Sequence, residues 1–279
     1  MSDSPVTNDP GRRWLVACDL DQTLIYSRRA FRLPPGTPEP PVRVVEVYDG
    51  AAASFVTATA AADLQQLASD AVVVPVTTRT AEQYRRIDLG FAVPHAVVAN
   101  GGTLLIGGEP DRDWAAAVAQ RLRDGGASLP EVRTLAEQVA DPSWVRLLRV
   151  ADGLFIYLVA HDRTLIPDLS ALEVTLTGLG WTVSVQGRKV YLVPVALTKQ
   201  AGVDEVVRRT GATAVAAAGD SLLDREMLLA ADVAVRPAHG ELHDAGWTAP
   251  HLQVTDAPGL LGGEQVVETL AAVARVTVA

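Results

Sequence analysis

Apolar positions follow two patterns along this chain. Short unbroken runs, "WLVAC" at 14–18, "AVVVPV" at 71–76, "HAVV" at 95–98, "AVAAA" at 214–218 and "DVAV" at 232–235, show no alternation and read as strands buried on both faces. Helical spacing occupies about 59–69, Lys199 to about 210, and 222–230. Strand and helix in alternation predict a parallel α/β sheet, whose ligands gather at the carboxyl ends of its strands. The middle of the chain differs. Helical patterns near 113–123 and 131–140 lead to the alternating runs "WVRLLRV" and "LFIYLVA", joined at Asp152-Gly153. A helix near 167–178 leads to "WTVSVQ" and "KVYLVP", joined at Gly187. Helix, hairpin, helix, hairpin is an α+β module, so residues 107–194 are expected as an insert in a discontinuous sheet domain covering 12–106 and 195–279.

Two segments sit outside this alternation. Residues 1–11 are polar and read as a disordered tail. "RLPPGTPEPPVR" packs five prolines between 34 and 41, which excludes regular structure and forces an exposed loop. The stretch that follows, "VRVVEVYDGAAASFVT", reads as a β-hairpin turning at Asp49-Gly50, part of a flap region over about 27–58.

Composition narrows the function classes. A formal net charge of -9 argues against a nucleic-acid surface, and the arginine pairs at 12–13, 28–29, 85–86 and 208–209 are too scattered to make one, although a local basic pocket for a small anion stays open. One cysteine, Cys18, allows no intramolecular disulfide. The apolar runs are short and interrupted, so no membrane span is expected, and with no apolar leader at the N-terminus a cytoplasmic location is the default. No feature specifies an oligomeric state.

Candidate chemistry collects at strand ends. Asp19 and Asp21 follow the first run, Thr77 the second, Asn100 the third, and Asp220 ends "ATAVAAAGD"; Lys199 opens a helix that could reach the same edge. Carboxylates with water suit Mg²⁺, usually alongside a substrate phosphate, and lysine and a hydroxyl suit the phosphate oxygens.

"DLDQT", "VTTR", Lys199 and "GDSLLD", in that order and each in its structural setting, resemble the four signature motifs of the haloacid dehalogenase superfamily of phosphohydrolases. An α+β cap inserted between the second and third motifs resembles the subgroup of Cof-type and sucrose-phosphate phosphatases. The resemblance implies a Rossmann-like parallel-sheet core with a smaller cap. It also implies Mg²⁺-dependent hydrolysis of a small phosphorylated metabolite, preferably a sugar phosphate, through an aspartyl-phosphate. Asp19 would be the nucleophile and Asp21 the general acid and base. Asp19, the Asp21 carbonyl and Asp220 would hold the metal, with Asp224 behind it, and Thr77 and Lys199 would bind the phosphoryl group. A phosphomutase or phosphotransferase using the same intermediate, or a non-catalytic module on the same fold, are the alternatives.

Departures are Gln22 for a usual glycine, Thr78 within "TTR", and Leu223 for an asparagine; none removes a principal group. Two residues stay open between roles. Asn100 with Gly101 reads as a turn or a substrate contact, and Arg79 as an ion-pair partner or a substrate ligand. His239 and His243 in "HGELH" lack the His-Glu-x-x-His pattern, which disfavours zinc.

Overall fold

The computed structural model describes residues 12–275, so the tail expected over 1–11 lies outside the described residues. Five strands run parallel in the order Leu252–Val254, Val233–Arg236, Ala214–Ala218, Trp14–Cys18, Val72–Pro75. Leu15 and Ala17 join an apolar layer that includes Val203 and Val206 of the helix Lys199–Thr210. Trp14, Val16 and Cys18 join a second layer, with Leu64 and Leu67 of the helix Ala58–Asp70 and with Val266 and Leu270 of Gly259–Arg275. Both faces of the sheet are covered, which is why "WLVAC" is apolar at every position.

The third run meets the sheet in parallel, as expected, and takes a further partner that was not expected. His95–Val98 touches the parallel sheet through one bridge, Val76 with Val97, and then pairs antiparallel with Thr103–Ile106, which pairs in turn with Glu109–Pro110. The connection before it carries only the single helical turn Ala81–Tyr84, capped by Thr80, and the chain then passes Gly90 and Pro94.

The insert carries a four-stranded antiparallel sheet in the order Trp181–Gln186, Lys189–Pro194, Phe155–Ala160, Val145–Ala151. Three helices accompany it: Arg112–Asp124, Leu129–Val139 and Ser170–Gly178. Val118, Val132, Ala136 and Leu176 from these helices share one apolar cluster with Leu158, Val190 and Leu192 from the strands. Each fully buried Leu or Val among them contributes about 2 kcal/mol. The Trp114 indole N–H donates to the Gly101 carbonyl at 2.9 Å, tying the first of these helices to the sheet domain.

The flap hairpin forms as expected, Val42–Tyr48 against Ala51–Thr57, turning at Asp49-Gly50. Its register shifts on either side of Glu46. A bulge re-aims a side chain, and here the displaced residue is buried rather than solvated.

Candidate active site

Strand register places the acidic residues. Cys18 pairs with Ala218 on one side and Pro75 on the other, so Asp19, Asp220 and Thr77 all emerge from one edge of three adjacent strands. The chain leaves the central strand toward Val72–Pro75 and later returns on its other side as Ala214–Ala218, which makes Asp19 the topological switch point. The Asp19 amide donates to the Ala218 carbonyl at 2.9 Å, fixing its backbone there.

Asp19, Asp220 and Asp224 bring carboxylate oxygens within 4.8 Å of one another, and all three are buried. Among the described residues one cation, Lys199, contacts two of them. The Lys199 ammonium, 1% exposed, donates to Asp19 Oδ1 at 2.6 Å and to Asp224 Oδ1 at 2.5 Å. The second oxygen of Asp224 accepts from the Ser221 amide at 2.9 Å and the Ser221 hydroxyl at 2.7 Å, closing a capping box at the short helical turn Leu222–Asp224. There is no room for larger residues beneath: a β-carbon on Gly219 would lie 2.4 Å from Asp224 Cβ, and one on Gly240 would lie 2.6 Å from Asp220 Oδ2.

Charge balance at this cluster is unfinished. Burial first, then the neighbouring Asp224, pushes Asp19 up to about 7 despite Lys199. Asp220 is driven well above the usual carboxylate range by burial, Asp19 and Asp224. Lys199 would lose its proton more easily through burial alone, but the two carboxylates outweigh that and raise it. Three buried carboxylates against one ammonium is a donor set short of positive charge and made of oxygen, which fits a divalent cation such as Mg²⁺.

Asp21 points elsewhere. Arg79 grips it in a bidentate pair, Nε to Oδ2 at 2.7 Å and Nη2 to Oδ1 at 2.8 Å. The surrounding protein would raise its pKa, yet Arg79, with Lys189 and Lys199 behind it, holds it down to about 2. The other side of the guanidinium donates to both oxygens of Glu46, at 2.9 and 3.0 Å. Of the two roles open to Arg79, the ion pair is formed here, with both Asp21 and Glu46. Glu46 also accepts from Arg86 at 3.2 Å and Ser54 at 2.7 Å, so the flap bulge is anchored to the acid/base candidate through one arginine.

Asn100 sits in a turn, with its buried Oδ1 unpartnered among the described residues. It sits in the left-handed region, φ 55°, with Nδ2 donating to the Leu197 carbonyl at 2.8 Å beside the chain's return from the insert. Thr77 is fully buried; its hydroxyl oxygen accepts from the Arg79 amide at 3.1 Å, leaving the hydroxyl proton for another acceptor. Thr78 turns instead toward the insert, to the Tyr191 hydroxyl at 3.4 Å. His239 accepts at Nδ1 from the Gly259 amide, so its Nε2 carries the proton and donates to the Gln22 carbonyl at 2.9 Å. His243 faces Arg236 at 3.0 Å, so the two histidines do not converge on one point.

Two functional groups escaped the motif reading. Glu46 is one, marked in sequence only as a charge inside "VRVVEVY". Glu241 is the other: its carboxylate accepts from Ser184 Oγ at 2.7 Å, the Val185 amide at 2.8 Å and the Leu222 amide at 2.9 Å. It therefore bolts the insert's strand Trp181–Gln186 to the turn that carries Asp224.

No family model matches the sequence, and no curated protein matches it either. Solved structures do. The sucrose-phosphatase of Synechocystis sp. PCC6803, determined with sucrose and phosphate, is 13% identical, with 94% of this chain and 98% of that chain covered at a TM-score of 0.62. A phosphatase of the haloalkanoate enzyme superfamily from Bacteroides thetaiotaomicron is 15% identical over 100% of both chains, TM-score 0.56. The chain shares the fold of these phosphatases. A trehalose-6-phosphate phosphatase related protein, 15% identical over 93% of this chain and 97% of that chain, TM-score 0.52, shares it. Within that fold the insert occupies the cap position. Among the described residues no helix is long and apolar enough to cross a membrane.

Proposed function

We propose that this protein is a phosphoric monoester hydrolase acting on a small phosphorylated metabolite, with Asp19 as nucleophile. The observation that carries this is the buried cluster in which Lys199 is shared between Asp19 and Asp224 beside Asp220 at the sheet's carboxyl edge. Asp19 Oδ attacks phosphorus in line, the bond to the leaving oxygen breaks, and an aspartyl-phosphate forms. Water then attacks that phosphorus and frees Asp19 and inorganic phosphate. Lys199 and the free hydroxyl proton of Thr77 meet the phosphoryl oxygens, and Lys199 offsets repulsion between carboxylate and substrate.

Asp21 gives a proton to the leaving oxygen and takes one from water in the second step. It does so only when freed from Arg79, since the bidentate pair holds it ionised. Release of that pair is the reading's conformational step, and the flap carrying Glu46 is its lever. Asp19, Asp220, Asp224 and the Asp21 carbonyl would hold Mg²⁺, which when bound would supply charge for the phosphoryl oxygens and draw the Asp19 carboxyl back to its ionised form. The shared fold with a sucrose-phosphatase supports a phosphorylated sugar as the substrate class.

The test is phosphate release from an aryl phosphate and a panel of sugar phosphates, with and without a chelator. Expected are turnover that disappears with chelation and in Asp19→Asn. Undiminished turnover in Asp19→Asn would overturn the assignment.

A further inference from the structure

Between sheet domain and cap lies a cleft of about 400 Å³ whose floor is Asp21 and Gln22. Five of its lining residues are cations: Arg29 and Arg32 from the loop after the first strand, and Arg163, Arg188 and Lys189 from the cap. Set against them are Asp21, already neutralised by Arg79, and Asp162, whose Oδ1 is spent on the Thr164 amide and hydroxyl at 2.9 and 2.8 Å. In a chain of net charge -9 this is a local inversion of sign. Gln22, Arg32 and Arg163 also line a smaller cavity that includes Asp220, so the basic cleft adjoins the carboxylate cluster.

These cations are short of protein anions: Lys189 acts on Asp21, and Arg188 and Arg29 act on Asp162, only beyond ion-pair distance. Among the described residues, Arg29, Arg32, Arg188 and Lys189 have no carboxylate within 4 Å, and Arg163 has only a long contact to Asp244 at 3.7 Å. Their polar contacts are neutral ones. Arg32 donates to the Gln22 side chain at 3.0 Å, Arg163 to the Gly187 carbonyl at 3.3 Å and Arg188 to the His161 carbonyl at 3.3 Å. Lys189 lies 5.8 Å from the centres of the Tyr157 and Tyr191 rings. Five like charges converging on one concave space repel one another, and a low-dielectric cleft concentrates their field on whatever anion enters. The transferred phosphoryl group does not use them, because its partners in the proposed mechanism, Lys199 and Thr77, lie at the buried edge.

Resting on the phosphatase reading of this site, we infer that the substrate carries a second anionic group, a carboxylate or a second phosphate, which the Arg29, Arg32, Arg163, Arg188 and Lys189 cleft receives. The fork geometry of arginine suits either group bidentately. Because two of the cations belong to the sheet domain and three to the cap, an anion held between them draws the two together over Asp19. Binding energy from the non-reacting end of the substrate is thereby spent on closure.

The experiment compares three probes of one size: glucose 6-phosphate, 6-phosphogluconate and fructose 1,6-bisphosphate. Equilibrium affinities are measured by calorimetry on Asp19→Asn with Mg²⁺ present, and kcat/KM on the wild type. Expected is a preference of at least about tenfold for one or both probes that carry a second anionic group over glucose 6-phosphate, shrinking as salt is raised from about 50 to about 500 mM. The carboxylate and bisphosphate arms tell the two anion types apart. The double variant Arg163→Gln/Arg188→Gln should bring the ratio close to one, while Arg188→Lys should keep most of it. Equal affinity for all three probes, or a preference unmoved in the double variant, overturns the inference even if the protein is an active phosphatase. A clear binding preference with no turnover of any probe would instead leave the cleft assignment standing and defeat the hydrolase reading.

Discussion

Lys199→Met tests the balance of charge on which the site depends. The ammonium is 1% exposed and holds Asp19 at 2.6 Å and Asp224 at 2.5 Å. Methionine has similar length and no charge, so the variant keeps the packing and leaves three buried carboxylates without an internal cation. Removing one partner of a buried ion pair costs about 3–5 kcal/mol, which for a chain of this size lowers the melting temperature on the order of 10 °C. The cost depends on pH, and its sign follows from the carboxyls. Asp19 already stands at about 7 with Lys199 present, and loss of the ammonium raises it further. The folded variant then binds more protons than the unfolded chain near neutrality, so its stability falls as pH rises, by up to about 1.4 kcal/mol per unit for each such carboxyl. Urea denaturation in a chelator at pH 6 and pH 8 reads this directly. The gap between wild type and variant should widen by about 2 kcal/mol, and Mg²⁺ should narrow it. Lys199→Arg should recover part of the stability without restoring phosphate release, because a planar fork cannot take the place of a point charge between two carboxylates. A Lys199→Met protein that melts with the wild type at both pH values would refute the reasoning.

Gly219→Ala adds a carbon 2.4 Å from Asp224 Cβ, so Asp224 must leave Lys199; we expect a loss of about 2–3 kcal/mol in urea denaturation and at least about a tenfold fall in phosphate release, and wild-type behaviour would show that the close approach is dispensable. Glu46→Ala strips Arg79 of one of its two carboxylates and leaves Ser54 unpaired, which should cost about 3 kcal/mol and speed hydrogen exchange across 42–57, an effect read by mass spectrometry. His239 is held down to about 4, by burial first and Arg32 second. The folded state thus binds fewer protons than the unfolded chain between pH 6.5 and 4, and stability falls as pH falls through that window. His239→Gln should remove about 2 kcal/mol of the decline between pH 7 and pH 4.5, and an unchanged decline would show that the ring is not the group responsible.

Much of the fold was legible because burial on both faces leaves a mark in sequence: a strand with no polar side has no alternation, and "WLVAC" and "AVAAA" are such strands. The edge at which Asp19, Thr77 and Asp220 emerge followed from that, since each residue is the first or second beyond a run. His95–Val98 was half read for a related reason: its parallel bridge to Val76 was expected and its antiparallel partner was not. Its run is apolar because the neighbouring layers bury it, and burial alone does not distinguish a parallel partner from the antiparallel ladder it makes with Thr103–Ile106. The turn chemistry at 99–101, with Ala99, Asn100 and Gly101 all at positive φ, was the available signal.

The state of Asp21 was not legible at all, and the reason is physical. Its pKa is set by Arg79, 58 residues away, and Arg79 is in turn held by a glutamate that faces inward only because the flap strand is bulged at that residue. Sequence spacing reports which groups a strand delivers to an edge, while a bulge reverses the face of a single side chain without altering the apolar pattern around it. The two carboxylates of "DLD" therefore differ in kind. Asp19 is fixed by parallel register and tuned by burial, so its role follows from the sheet. Asp21 is 40% exposed beside the cleft and tuned by its ion pair with Arg79, which Glu46 of the flap holds, so its role follows from whatever moves the flap.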